Sequence, residues 1–200
     1  MPFRILLILF SLHNVVVAST GRSRPLSTNA APPVIDLRSS DDILARQIAE
    51  ACSTWGFFQV INHSIDPQLM QNFRSVCLDY FQTTPLAKKK KMQRTATNAR
   101  GFFDDELTKQ KRDWKQALDI GVPGSRDWQL EDDDPQNACL DGFNRFPSRS
   151  FRKIYIQYFS ECAKLSDRLA RLMAKGLHGS EEDDLIHNLR ANHSSYLRAG

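Results

Sequence analysis

Between Ser148 and Gly176, apolar side chains keep to one side of a helix for about seven turns. They are Phe151, Ile154, Tyr155, Tyr158, Cys162, Leu165, Leu169, Leu172 and Met173. That spacing predicts one long helix, with Ser148 placed to cap its start and Gly176 reading as its stop. A stripe of this length is costly to leave in water, at about 25 cal/mol per Å² of apolar area. Whatever else the chain does, it must lay something against this helix or offer it to a partner.

The segments before it are short and punctuated. Val34-Ile35-Asp36-Leu37 reads as a strand after Pro32-Pro33, and Ser39 or Ser40 can cap a helix whose Asp41 and Asp42 suit its positive end. Leu44, Ile48, Ala51, Cys52 and Trp55 give that helix one apolar face, Gly56 breaks it, and Phe57–Ile61 reads as a buried strand. Asp66-Pro67 opens a second helix with Leu69, Phe73, Val76, Cys77 and Tyr80 on its stripe, and Pro85 restarts a shorter one through Lys91. The lysine run Lys88–Lys91 is read as solvated surface rather than a phosphate or membrane site. Residues 94–113 are expected to be a polar loop containing Gly101-Phe102-Phe103, followed by a strand near 114–122. Residues 127–142 are expected to be an acidic loop, and the spacing of Asp132, Asp133 and Asp134 is not that of an EF-hand. A short helix from Glu181 to Arg190 and the start of a strand at Ser195–Leu197 complete the reading.

Residues 1–30 stand apart. Arg4 precedes the apolar run Ile5–Leu12, and the small Val16 and Ala18 fit a signal-peptidase site after Ala18. His13 and Asn14 interrupt the run, which is short for a membrane span. Residues 21–31 are rich in Arg, Ser, Thr and Asn without acids, as in an organelle transit segment. A cleavable leader is therefore expected over 1–30, directing the chain to the secretory pathway or to a plastid or mitochondrion, with one folded domain over 31–200. Three of the 27 Lys and Arg (Arg4, Arg22 and Arg24) lie in this acid-free leader, leaving 24 bases against 23 acids elsewhere. That balance argues against a nucleic-acid binder. Cys52, Cys77, Cys139 and Cys162 form no CxxC pair and read as free thiols.

Several segments together carry a resemblance. Pro33-Val34-Ile35-Asp36-Leu37 and Gly56-Phe57-Phe58-Gln59-Val60-Ile61-Asn62-His63 resemble the opening of isopenicillin N synthase-like, iron- and 2-oxoglutarate-dependent dioxygenases. Ser64 stands where that family usually has glycine. Phe81 and Pro85 keep the spirit of its F-F-x-x-P, and Arg100-Gly101-Phe102 resembles its R-G-Y turn. The stretch from Asp113 to Gly121 resembles D-x-K-E-x-F-D-x-G, Asn144-Arg145-Phe146-Pro147 resembles N-x-W-P, and Ser195–Arg198 resembles the S-x-L-R that opens the core barrel. The resemblance covers about residues 32–198. It implies an α+β chain: the helix-rich N-terminal half of a double-stranded β-helix (jelly-roll) dioxygenase, with a few short strands, one long helix and the barrel core absent.

The resemblance also implies chemistry. Family members hold ferrous iron with His-x-Asp and a second histidine, leaving open positions for 2-oxoglutarate and oxygen, and bind the 2-oxoglutarate carboxylate with Arg-x-Ser. Oxygen activation is coupled to decarboxylation of 2-oxoglutarate to succinate, and the substrates are small organic molecules. No His-x-Asp occurs here. His13 lies in the leader, His63 is followed by Ser64-Ile65-Asp66, His178 precedes Glu181 at the wrong interval, and His187 and His193 have no acid two positions on. An improvised site of His187, His193 and Asp183 or Asp184 is disfavoured against ordinary surface roles. No catalytic, metal or cofactor-binding residue is therefore assigned, and the chain is expected to end before the iron ligands and to bind neither iron nor 2-oxoglutarate. Arg100 is the one candidate for the substrate mouth, against a solvent or carboxylate contact. With the barrel absent, the long-helix stripe is expected to be exposed, leaving the chain marginal or self-associating. The alternative reading is a non-catalytic interaction module derived from the same family.

Overall fold

The computed structural model describes residues 6–10, 15–19, 31–96, 98–105, 107–108, 111–112, 114–122, 144–178 and 196–200. They are mixed helix and strand, and their strands close no barrel. They group into two units, Met1–Asp66 with Glu161–Asn192, and Pro67–Ser160 with His193–Gly200.

In the first unit, β1 (Leu6–Phe10), β2 (Val15–Ser19), β3 (Val34–Asp36) and β4 (Phe57–Ile61) form a sheet ordered β1-β2-β4-β3. β3 lies parallel to β4, with Ile35 opposite Val60. The connection between them is α1 (Asp41–Thr54), because a parallel pair needs a crossover. Leu44, Ile48 and Ala51 of α1 are buried together with Ile35, Phe58 and Val60. Ser40 occupies the N-cap in an extended conformation, but its hydroxyl does not cap the helix. The Leu44 N–H bonds the Ser40 carbonyl instead. β2 pairs antiparallel with the other edge of β4, Val17 opposite Phe58. The segment expected to stand outside the fold thus supplies two strands of this sheet.

The long helix, α4 (Arg149–His178), begins where its cap predicts, with the Phe151 N–H on the Ser148 hydroxyl at 3.1 Å. It does not stop at Gly176. A Cβ on Gly176 would sit 2.6 Å from the Ala45 carbonyl and 3.2 Å from the Ala49 methyl. The glycine is thus a notch for the close approach of α1 inside a continuing helix. Arg168 donates to the Leu37 carbonyl (3.0 Å) and Lys175 pairs with Asp42 (2.8 Å), so basic groups of α4 meet the acidic start of α1.

The second unit packs α2 (Pro67–Thr83), α3 (Leu86–Lys90) and the first part of α4 on a sheet of β5 (Gly101–Phe103), β8 (Ala117–Gly121) and β9 (Tyr196–Ala199), ordered β5-β8-β9. β6 (Leu107–Thr108) and β7 (Lys111–Arg112) make a small hairpin between. Residues 94–113 are thus not one polar loop, since Gly101, Phe102 and Phe103 are all buried. Phe102, Leu118 and Ile120 pack against Tyr80, Phe151, Tyr155 and Phe159. Phe73 stacks on Tyr158 at 4.4 Å, and the Tyr155 hydroxyl donates to the Ile120 and Gly121 carbonyls at 2.6 and 2.9 Å.

The expectation of an exposed stripe is overturned. Phe151, Tyr155, Tyr158, Cys162, Leu165, Leu169 and Leu172 are all buried within the chain. Phe151, Tyr155 and Phe159 pack with Tyr80 of α2 and with Phe102, Leu118 and Ile120 of the second sheet, and α1 approaches at Gly176, which removes the reason given for self-association through this helix. Lys89 also departs from the solvated reading, since it is buried and its Nζ donates to the Phe81 carbonyl (2.6 Å) and Gln116 Oε1 (2.9 Å). Cys52, Cys77 and Cys162 form no disulfide with one another, and burial pushes the Cys77 thiol up to about 12. Cys139, the acidic stretch 127–142 with Asp132–Asp134, and the helix read over 181–190 lie outside the described residues.

Candidate functional site

Alternation along β5, β8 and β9 gives their sheet two unlike faces. Phe102, Leu118, Ile120 and Leu197 belong to the face that packs on the helices. On the other, the register sets Gly101 opposite Asp119, Asp119 opposite Arg198, and Gly121 opposite Tyr196. Arg198 holds Asp119 through two bonds, Nε to Oδ1 at 2.8 Å and Nη2 to Oδ2 at 2.9 Å. This is the planar fork that suits guanidinium to carboxylate.

Aromatic rings extend the arrangement. The Arg198 guanidinium lies 5.0 Å from the centre of Phe103 and 5.8 Å from that of Tyr196. Arg94 stands 4.1 Å over Phe103 and bonds Asp105 at 3.0 Å. Arg100, the substrate-mouth candidate, is 4% exposed, with its guanidinium 5.3 Å from the Tyr196 ring. Its path depends on Gly121, where a Cβ would come within 2.8 Å of Arg100 Nε. Its backbone N–H bonds Asn98 Oδ1 at 2.8 Å. Three guanidiniums therefore gather around two rings, with Asp105 and Asp119 as partners of two of them. Cation–ring contacts of this kind are worth about 0.5–2 kcal/mol each, depending on exposure. Such a face binds the strands together through charge-assisted and cation–ring contacts.

The motif residues brace this sheet and the first. Asn144 accepts the Gly121 N–H (2.7 Å) and donates to the Val122 carbonyl (3.1 Å), clamping the end of β8. Arg145 donates to the Gln93 carbonyl at 2.6 Å. In the first unit, Asn62 Nδ2 bonds Asp36 Oδ1 (2.8 Å), tying the ends of β3 and β4. Arg38, then Asn62, hold the Asp36 carboxyl well below the usual carboxylate range. Asn62 and Ser64 both adopt left-handed backbone, at φ 56° and 64°, on either side of His63.

The described residues do not fit a ferrous site. His63 accepts the Ile65 N–H on Nδ1 at 3.2 Å, and burial holds its pKa below the ordinary value. Among the described residues no three His, Cys, Asp or Glu side chains gather to hold a metal ion. His187, His193, Asp183 and Asp184 lie outside the described residues. Sequence reasoning quoted Asp119, Gly121, Tyr196 and Arg198 only as motif letters and missed their conjunction. The signal is the antiparallel register that sets the strand ending at Gly121 against the one beginning at Tyr196.

Known proteins place these observations. Residues 32–149 match the family model described as the N-terminal region of a non-haem dioxygenase in morphine synthesis. Jasmonate-induced oxygenase 2 of Arabidopsis thaliana is 31% identical over 181 residues, which are 80% of this chain and 43% of that protein. A probable iron/ascorbate oxidoreductase of Dictyostelium discoideum is 28% identical, over 75% of this chain and 46% of that protein. This chain thus spans less than half the length of either relative. Among solved structures, JOX2 in complex with 2OG, Fe and JA superposes with a TM-score of 0.61 at 26% identity, over 84% of this chain and 46% of that one. The Arabidopsis thaliana dioxygenase for auxin oxidation 1, with 2-oxoglutarate, gives 0.55 at 27% identity, over 77% of this chain and 53% of that one.

Proposed function

Because this chain belongs to the iron- and 2-oxoglutarate-dependent dioxygenase superfamily, as its N-terminal region, we propose that it is the helix-rich front half of a jelly-roll oxidoreductase acting on a small organic substrate, and that these 200 residues alone do not turn over. One observation carries the reading: 80% of the chain aligns with only 43% of a related oxygenase, while the sequence contains no His-x-Asp. β9 supports it, since its outer edge has no neighbouring strand among the described residues, where a following strand would pair. Iron and 2-oxoglutarate would then belong to the longer protein, and no residue described above is given a step in its reaction.

Sequencing the transcript beyond Gly200 tests the proposal. A downstream frame encoding His-x-Asp, a second histidine and Arg-x-Ser is expected. Stoichiometric ferrous iron bound by the 200-residue chain, with succinate formed from 2-oxoglutarate, would refute it. Residues 1–30 are proposed to be removed as a leader, so the mature N-terminus measured by mass spectrometry is expected at or after Ser19, the residue that follows a cut after Ala18.

A further inference from the structure

The corner formed by α3 and the start of β8 is unlike the rest of the surface. Trp114 is 98% exposed and Leu86 is 45% exposed, where residues of this size ordinarily find cover. Lys88, Lys90 and Lys91, which follow Leu86 in sequence, are exposed, and no acid occurs between Asp79 and Asp104. Lys89 explains why the two segments lie together: it turns inward and bonds Gln116, two residues after Trp114. Asp113 is the acid adjoining the tryptophan in sequence.

We infer that this corner is a docking surface for an anionic phospholipid bilayer. The composition selects that occupant. Tryptophan beside lysine is the pairing found at the membrane interface, where the ring sits among headgroups and the ammonium groups meet lipid phosphate and carboxylate. The exposed cations of α3 are all lysines, which act as compact point charges. Recognition of phosphopeptides or acidic motifs draws on the bidentate fork of arginine, which α3 lacks. No helix among the described residues is long and apolar enough to cross a membrane, so the contact would be peripheral. The inference goes beyond the dioxygenase reading and rests on this corner staying exposed in the longer protein which that reading proposes.

The 200-residue chain is tested by co-sedimentation with vesicles of equimolar phosphatidylserine and phosphatidylcholine, and with vesicles of phosphatidylcholine alone. The leader is common to every variant, so only differences between variants count. At about fivefold per lysine, the triple variant K88Q/K90Q/K91Q should lose about a hundredfold in partitioning to the anionic vesicles. Trp114→Ala should weaken binding further, and the vesicle-induced blue shift of tryptophan emission should disappear in Trp114→Phe. All three variants change exposed side chains, and circular dichroism should match the parent. Equal partitioning of parent and variants overturns the inference. So does lysine-dependent capture by polyglutamate matching that by vesicles with no change in Trp114 emission, which would assign the corner to an acidic polypeptide.

Discussion

Asp119 on β8 and Arg198 on β9 lie directly opposite each other and are joined by two parallel hydrogen bonds, although they stand 79 positions apart in the chain. Asp119 is almost wholly buried while 39% of the Arg198 side chain is exposed, so solvent screens only one end of the pair. Replacing Arg198 with alanine leaves a buried carboxylate without its partner. Discounted for the exposure of the arginine, the loss should be about 1–2 kcal/mol in chemical denaturation. Faster amide exchange in β9 should accompany it. Arg198→Lys should recover only part of this, because an ammonium cannot make the paired bonds.

Gly176→Ala offers a test in which local propensity and packing oppose each other. Alanine favours a helix interior by about 1 kcal/mol over glycine. Here its methyl would enter the space of the Ala45 carbonyl, and forcing the helices apart typically costs about 1–3 kcal/mol. A lower melting temperature is expected. A higher one would mean that the α1–α4 contact is looser than described.

Ser64 holds a left-handed conformation that a side chain disfavours by about 1–2 kcal/mol. Ser64→Gly should raise stability by about 0.5–1 kcal/mol once the extra freedom of the unfolded glycine is subtracted. Asn62→Gly should not, because it also removes the bond to Asp36.

Acid should loosen the first unit by a nameable route. The folded Asp36 carboxyl is held well below its ordinary value by Arg38 and Asn62, and Asp42 is lowered by Lys175. Unfolded, such groups bind protons near about 3.9. The unfolded chain therefore takes up protons that the folded one refuses, and their contribution is complete above that value and lost progressively as pH falls from there through the lower folded values. Asp36→Asn should flatten this part of an acid titration followed by circular dichroism. Added salt should shrink the difference, since the Arg38 pair is exposed.

Local signals made the helices legible. Asp41, Pro67 and Ser148 mark starts with chemistry that acts within one turn, and the structure begins α1, α2 and α4 at those positions. Misreadings arose where meaning came from a distant neighbour. Gly176 looks like a stop until α1 is laid against it. Gly101-Phe102-Phe103 is too short to announce a strand, and its pairing with Ala117–Asp119 crosses an intervening hairpin. Arg100 was picked out by motif alone. Its burial beneath Tyr196 depends on the missing side chain of Gly121, which no local pattern encodes. The apolar stripe of α4 is legible from its spacing, but its cover is not, because Tyr80, Phe102, Leu118 and Ile120 reach it from separate segments.

β4 lies between β3 and β2, the latter drawn from the segment proposed to be removed as a leader. If processing cuts after Ala18, the newly made polypeptide brings its own edge guard, and trimming strips the Phe57–Val60 backbone of that chaperone strand. Maturation would then be the moment of greatest danger of fibre-like self-assembly, and any strand that replaces β2 would have to arrive before a second molecule does.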